Sequence, residues 1–141
     1  MAERTASANW KGDLFEGSGT VSATSSGVLT DTEMTWASRT EAPGGKTSPE
    51  ELIASAHAGC FSMALSNQLS NRGHAPESLQ VQATSSFEGG KITRIVLDVS
   101  AEVPGMDQGD FEEALGAAEE SCPVSNALRG NVEIDVTGRL A

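Results

Sequence analysis

Between residues 79 and 103, apolar and polar side chains alternate almost one for one. Leu79, Val81, Ala83, Ser85 and Phe87 share one face of the first half, and Ile95, Leu97, Val99, Ala101 and Val103 share one face of the second. A period of two marks a strand with one side buried. The tetrapeptide Glu88-Gly89-Gly90-Lys91 between the halves supplies the glycines of a tight hairpin turn. Val132, Ile134 and Val136 repeat the pattern near the end of the chain. Earlier, residues 5–10 and 19–23 read as strands on either side of a turn-rich stretch, and residues 27–36 as a third strand.

The period changes after SRTEAPGGKTSPEE, a Gly-, Pro- and Ser-rich loop that delivers the chain to a helix start. Ser48 suits an N-cap, Pro49 the first helical position, and Glu51 completes an S-x-x-E capping box. From Leu52 to Leu69 apolar or small residues occupy nearly every helical face. A helix apolar all round belongs inside something, and in a chain this short a second subunit can supply the cover. Gly73 stops the helix, with Pro76 just beyond. Phe111, Ala114, Leu115 and Ala118 mark a second helix; Cys122-Pro123 opens a short third one that Gly130 closes. The expectation is one α+β domain over residues 1–141, in the order βββ-α-ββ-αα-β.

Charge narrows the function. Nine basic against twenty acidic residues give a net charge of −11, a field that repels phosphate backbones and anionic lipid. Neither a nucleic-acid nor a membrane partner is expected. No apolar run is long enough for a membrane span, and the first residues carry no basic-then-apolar leader pattern. A cytoplasmic protein follows, and there two cysteines are more often free or catalytic than structural.

Those cysteines are the residues most able to carry chemistry. Cys122 precedes a proline at a helix start, where backbone N–H groups and the helix dipole favour a thiolate. Cys60 lies in the apolar helix, where desolvation raises a thiol's pKa unless a cation is close. On local physics Cys122 is the more easily ionised of the two. Arg39, in the loop before the helix, is the suitable cation, because guanidinium keeps its charge when desolvated. Glu50 lies ten residues before Cys60, ~15 Å along a helix. It meets that thiol only through a bridging arginine or across a subunit boundary; otherwise it and Glu51 are first-turn acids complementing the dipole. His57 and Cys60, at i and i+3, have a spacing that can ligate a metal, but few further ligands exist to complete a site. No glycine-rich segment matches a phosphate-binding fingerprint, and Ser62, Ser66 and Ser125 lack a nucleophile-elbow motif. A free thiol, a redox pair and a metal site all remain open on the residues alone.

The segments TSPEELIASAHAGCFSMALS and CPVSNAL decide between them by resemblance. They are similar to the central helix and the second-cysteine segment of the OsmC/Ohr family of thiol-dependent peroxidases. ANWKGDLFEGSGTVS, SRTEAPGGKTSPEE, VPGMD and the last strand extend the likeness over nearly the whole chain. The position of the arginine in SRTE resembles the OsmC branch. The resemblance implies an intertwined homodimer with the long helix buried at its centre. It further implies Cys60 as peroxidatic thiolate, Cys122 as resolving thiol, and Arg39 with Glu50 as the activating pair, reversing the local ranking of the cysteines. The implied activity is reduction of organic hydroperoxides, and more weakly hydrogen peroxide, through a Cys60–Cys122 disulfide. No bound cofactor or metal is implied; an external dithiol of thioredoxin, lipoyl-protein or small-thiol type regenerates the enzyme. Phe61, Met63 and Ile53 are candidates for an apolar surround. The rival reading is a non-enzymatic thiol redox or metal sensor.

Overall fold

The computed structural model describes residues 1–141. The chain is a mixed α+β protein with six strands in two three-stranded sheets and four helices. It forms two compact units, residues 1–52 and 53–141.

In the first unit β1 (Ser7–Lys11), β2 (Ser18–Ser22) and β3 (Thr32–Met34) form an antiparallel sheet in chain order. Trp10 pairs with Gly19 across β1 and β2, and a Cβ on Gly19 would come within 2.5 Å of the indole. Only glycine lets the ring lie against that strand. The indole Nε1 donates to the carbonyls of Gly12 and Asp13, closing the connection between β1 and β2.

The stretch read as a ten-residue third strand keeps only three residues in β3. Its end turns into a short helix, α1 (Trp36–Thr40), which the alternating pattern does not predict. The cause is local: Thr35 Oγ1 accepts from the Ser38 amide, and Ser38 Oγ accepts from the Thr35 amide, a reciprocal cap. Ser38 Oγ also donates to the Thr47 carbonyl, and the Thr47 amide to the Glu33 carbonyl. These bonds fold the following loop back so that α2 (Pro49–Asn71) starts beside α1. The Ser48 cap expected for α2 is present, with the Glu51 amide donating to Ser48 Oγ; the Glu51 carboxylate accepts from the Thr47 hydroxyl.

In the second unit β4 (Ser78–Glu88) and β5 (Lys91–Glu102) form the expected hairpin. Gly89 and Gly90 both have positive φ, the conformation this two-residue turn demands. β6 (Glu133–Leu140) lies parallel to β5, which requires the intervening α3 (Gln108–Ser121) and α4 (Pro123–Leu128) as a crossover. Ile95, Leu97, Val99 and Ala101 of β5 form a core with Phe61, Leu65 and Leu69 of α2 and Phe111, Ala114, Leu115 and Ala118 of α3.

On α2, rows of every fourth residue separate inside from outside. His57, Phe61, Leu65 and Leu69 are fully buried, whereas Ser55, Gly59, Met63 and Asn67 are exposed. Phe61 is therefore a core residue and Met63, 76% exposed, faces outward. Ile53 is half-buried against the core. These three do not form a common apolar surround for Cys60.

Candidate active site

The structure gathers the four sequence-predicted residues into two pairs. In the first unit Arg39, on the last turn of α1, meets Glu50, on the first turn of α2. Arg39 Nε lies 3.0 and 3.2 Å from the two carboxylate oxygens, and Nη2 lies 2.8 Å from Oε1. Two guanidinium nitrogens on one carboxylate fix the plane of the cation as well as its place. Glu50 is 6% exposed, so removing this partner would leave a buried carboxylate unpaired.

The guanidinium also stands 5.8 Å from the centre of the Trp36 ring, a cation–π distance. Phe15 meets Trp36 edge-on, with centroids 5.7 Å apart. A cavity of about 310 Å³ opens here, walled by Trp10, Leu14, Met34, Trp36 and Pro49, with Arg39 as its only charged lining residue. Sequence reasoning missed Trp36 in this position. The Thr35-x-x-Ser38 cap was the signal that turns the chain there.

In the second unit Cys60 and Cys122 are free thiols with sulfurs 3.4 Å apart, the Cys122 thiol donating to Cys60. A disulfide needs ~2.05 Å, so closing the bond takes a displacement of roughly 1.4 Å. Cys122 has no exposed surface, whereas Cys60 is half-buried. The Cys122 backbone is held from both sides: its amide donates to the Ala118 carbonyl, and its carbonyl accepts from the Asn126 amide. Cys122 thus ends α3 and begins α4 at once.

Burial pushes the Cys60 thiol above its ordinary pKa, as its place in an apolar helix led one to expect. Neighbouring Cys122 adds to the rise, and a hydrogen bond from the Val124 backbone opposes it. The start of α4 thus serves the opposite cysteine from the one expected. The Cys122 side chain makes no capping bond, and the Val124 backbone, two residues further on, acts instead to lower the Cys60 pKa.

His57 and Ser125 are fully buried beside the thiols, with His57 Nε2 2.7 Å from Ser125 Oγ. Burial lowers the imidazole's pKa and Glu119 partly offsets this. No three His, Cys, Asp or Glu side chains converge as a metal site requires. Ser125 was passed over in the sequence, although its spacing from Cys122 repeats that of His57 from Cys60.

The OsmC-like protein family model matches residues 42–137, a span holding Glu50 and both cysteines. The chain is 42% identical over 132 residues, 91% of each chain, to Peroxiredoxin OsmC of Escherichia coli (strain K12). It is 34% identical over 104 residues to the Organic hydroperoxide resistance protein of Xanthomonas axonopodis pv. citri (strain 306), covering 68% of this chain and 69% of that one. Its structure is similar to that of the Organic Hydroperoxide Resistance Protein OhrB of Bacillus subtilis, with TM-score 0.66, 26% identity, and coverage of 96% and 98%. It shares its fold with the OsmC like protein from Mycoplasma pneumoniae, with TM-score 0.74, 17% identity, and coverage of 99% and 98%.

Proposed function

We propose that this chain, which belongs to the OsmC-like protein family, is a thiol-dependent peroxidase that reduces organic hydroperoxides, and hydrogen peroxide more weakly. The observation that carries the reading is the approach of two thiols, 62 residues apart in sequence, to 3.4 Å. One of them is accessible and the other sealed.

The Cys60 thiolate attacks the distal peroxide oxygen; with one proton taken up, the O–O bond breaks to give Cys60 sulfenic acid and the alcohol. The Cys122 thiol then displaces water from that sulfenic acid and forms the Cys60–Cys122 disulfide. An external dithiol attacks the disulfide, leaves as a cyclic or intermolecular disulfide, and restores both thiols. Cys122 has no exposed surface, so the reductant attacks Cys60 and Cys122 is the leaving group.

By its likeness to the family, Arg39, fixed by Glu50, takes the role of activating cation in this cycle, because a guanidinium keeps its charge when desolvated. The apolar cavity ending on Arg39 suits the organic part of a hydroperoxide better than hydrogen peroxide alone. The uncharged outward row of α2, Ser55, Gly59, Met63 and Asn67, supports a homodimer whose partner covers it. No bound cofactor or metal enters the cycle, and the need for a dithiol reductant suits the reducing cytoplasm. No helix of the chain is long and apolar enough to cross a membrane.

The test follows loss of cumene hydroperoxide with dithiothreitol in excess, using wild type and Cys60→Ser side by side. Many turnovers by wild type and none by the variant support the reading. Loss of no more than one equivalent per chain sinks it and favours a stoichiometric thiol sensor.

A further inference from the structure

His57 lies three residues before Cys60 on α2, and Ser125 three residues after Cys122 on α4. Positions three apart are neighbours on a helix surface. Each cysteine thus has a buried polar residue one turn away on its own helix, and these two residues are bonded to each other at 2.7 Å. His57 Nδ1 meets no hydrogen-bond partner, so Ser125 is the imidazole's single hydrogen-bonding anchor.

We propose that the His57–Ser125 hydrogen bond is the positioning device of the thiol pair, clamping α4 to α2 so that the Cys60 and Cys122 sulfurs stay within reach of a disulfide. Burying two polar groups is an expensive way to fill space, since an apolar pair of similar shape packs as well. What the hydrogen bond adds is a fixed distance and direction between the elements that carry it. α4 is only six residues long. Its apolar grip comes from Val124 and Leu128, which are only partly buried. Without the clamp, α4 and its sulfur have more positions to choose from, and the effective concentration of one thiol at the other falls. Both residues are positioning residues; neither touches the peroxide.

The inference deepens the peroxidase reading where the sulfenic acid must be resolved before a second peroxide oxidises it to sulfinic acid. Its equilibrium test does not depend on that reading. Full-length wild type, Ser125→Ala, Ser125→Thr, His57→Leu and His57→Gln are brought to equilibrium with defined ratios of reduced and oxidised dithiothreitol. After acid quench, the Cys60–Cys122 disulfide is counted by mass. Ser125→Ala and His57→Leu are expected to lower the equilibrium constant for disulfide formation about tenfold, ~30 mV for a two-electron couple. Ser125→Thr and His57→Gln, which retain a bonding group, restore most of it.

Circular dichroism of each variant in dithiothreitol identifies any that fails to fold; two apolar and two conservative replacements leave a comparison at either residue. After a pulse of cumene hydroperoxide, the apolar variants should also accumulate more Cys60 sulfinic acid than wild type. An unchanged equilibrium constant in both apolar variants overturns the proposal, as does failure of both conservative variants to restore it. If the equilibrium shifts as described but wild type consumes no peroxide catalytically, the clamp stands and the peroxidase reading fails.

Discussion

Acid should destabilise this protein through one identifiable ring. His57 is fully buried, its only hydrogen bond is to Ser125, and desolvation holds its pKa below the ordinary value of 6.5, with Glu119 opposing. The unfolded chain therefore binds a proton on this residue as pH falls through 6.5 while the folded chain does not. Stability rises with pH wherever the unfolded state holds more protons. The His57 contribution is complete above 6.5 and is lost as pH falls below it, until the folded ring itself protonates. If the folded ring stays neutral throughout, the loss between pH 7.5 and 5.5 integrates to about 1.4 kcal/mol, the full value of one proton over one pH unit.

The chain also holds twenty acidic side chains and a second histidine, so the quantity to measure is a difference. His57→Gln keeps a hydrogen-bonding group but cannot take up a proton. Urea unfolding of wild type and variant at pH 7.5 and 5.5, at one protein concentration, gives four stabilities. Wild type should lose about 1 kcal/mol more than the variant over the interval. Far-UV circular dichroism is the probe to use, because both tryptophans, Trp10 and Trp36, lie in the first unit and report on the wrong part of the chain. Parallel losses in the two proteins, or a smaller loss in wild type, refute the argument that a buried neutral imidazole is held there.

Three further outcomes are expected. Arg39→Ala leaves the buried Glu50 carboxylate without its two-pronged partner. It should cost about 1–3 kcal/mol in urea unfolding followed by tryptophan fluorescence, and should slow the first peroxide step; Arg39→Lys recovers part of the stability but little of the rate. Gly138→Ala places a Cβ 2.6 Å from Leu115 Cδ1 and 3.1 Å from Phe111 Cε2, so it should lower stability by about 1–3 kcal/mol through overpacking, read by circular dichroism in urea. When the oxidised protein is treated with glutathione and quenched in acid, peptide mapping should find the mixed disulfide on Cys60; an adduct mainly on Cys122 contradicts the order of attack.

What the sequence made legible was what local chemistry dictates. The Ser48 cap, Pro49 and Gly73 bracket α2, and the Gly89-Gly90 turn and the alternation on either side define β4 and β5. The third strand was overread because alternation continues through residues 27–36, while the reciprocal Thr35–Ser38 cap starts a helix inside that stretch. Phe61 and Met63 could not be ranked, because a helix with apolar or small residues on every face carries no phase to show which way it turns. Packing alone separates them, burying one completely and leaving the other 76% exposed. The pairing of His57 with Ser125 was beyond reach for another reason. It spans 68 residues, and its two ends look like an ordinary helix histidine and an ordinary helix serine. The roles given to Arg39, Glu50, Cys60 and Cys122 came from family resemblance. Local physics favoured Cys122 as the thiolate, because it could not show that the Val124 backbone of α4 acts on a sulfur of another helix.

That backbone contact bears on how one sulfur meets opposed demands. In the proposed cycle Cys60 must be open to peroxide and to dithiol, yet close to a thiol that peroxide never reaches. Equal exposure would let peroxide oxidise both sulfurs and let the reductant choose either. Equal burial would deny entry to both. The structure gives Cys60 a half-buried place and Cys122 a sealed one at 3.4 Å, so access and resolution fall to different residues. The cost is desolvation of Cys60, which favours the inert thiol over the reactive thiolate. The Val124 backbone returns part of that cost from the short helix that Cys122 begins. Cys122, Val124 and Ser125 follow one another within four residues, and each acts on α2: the first on the Cys60 sulfur by proximity, the second on its charge, the third on His57. Moving α4 by even an ångström would disturb all three contacts together, which is why a buried hydrogen bond is worth keeping where apolar packing alone would fill the space.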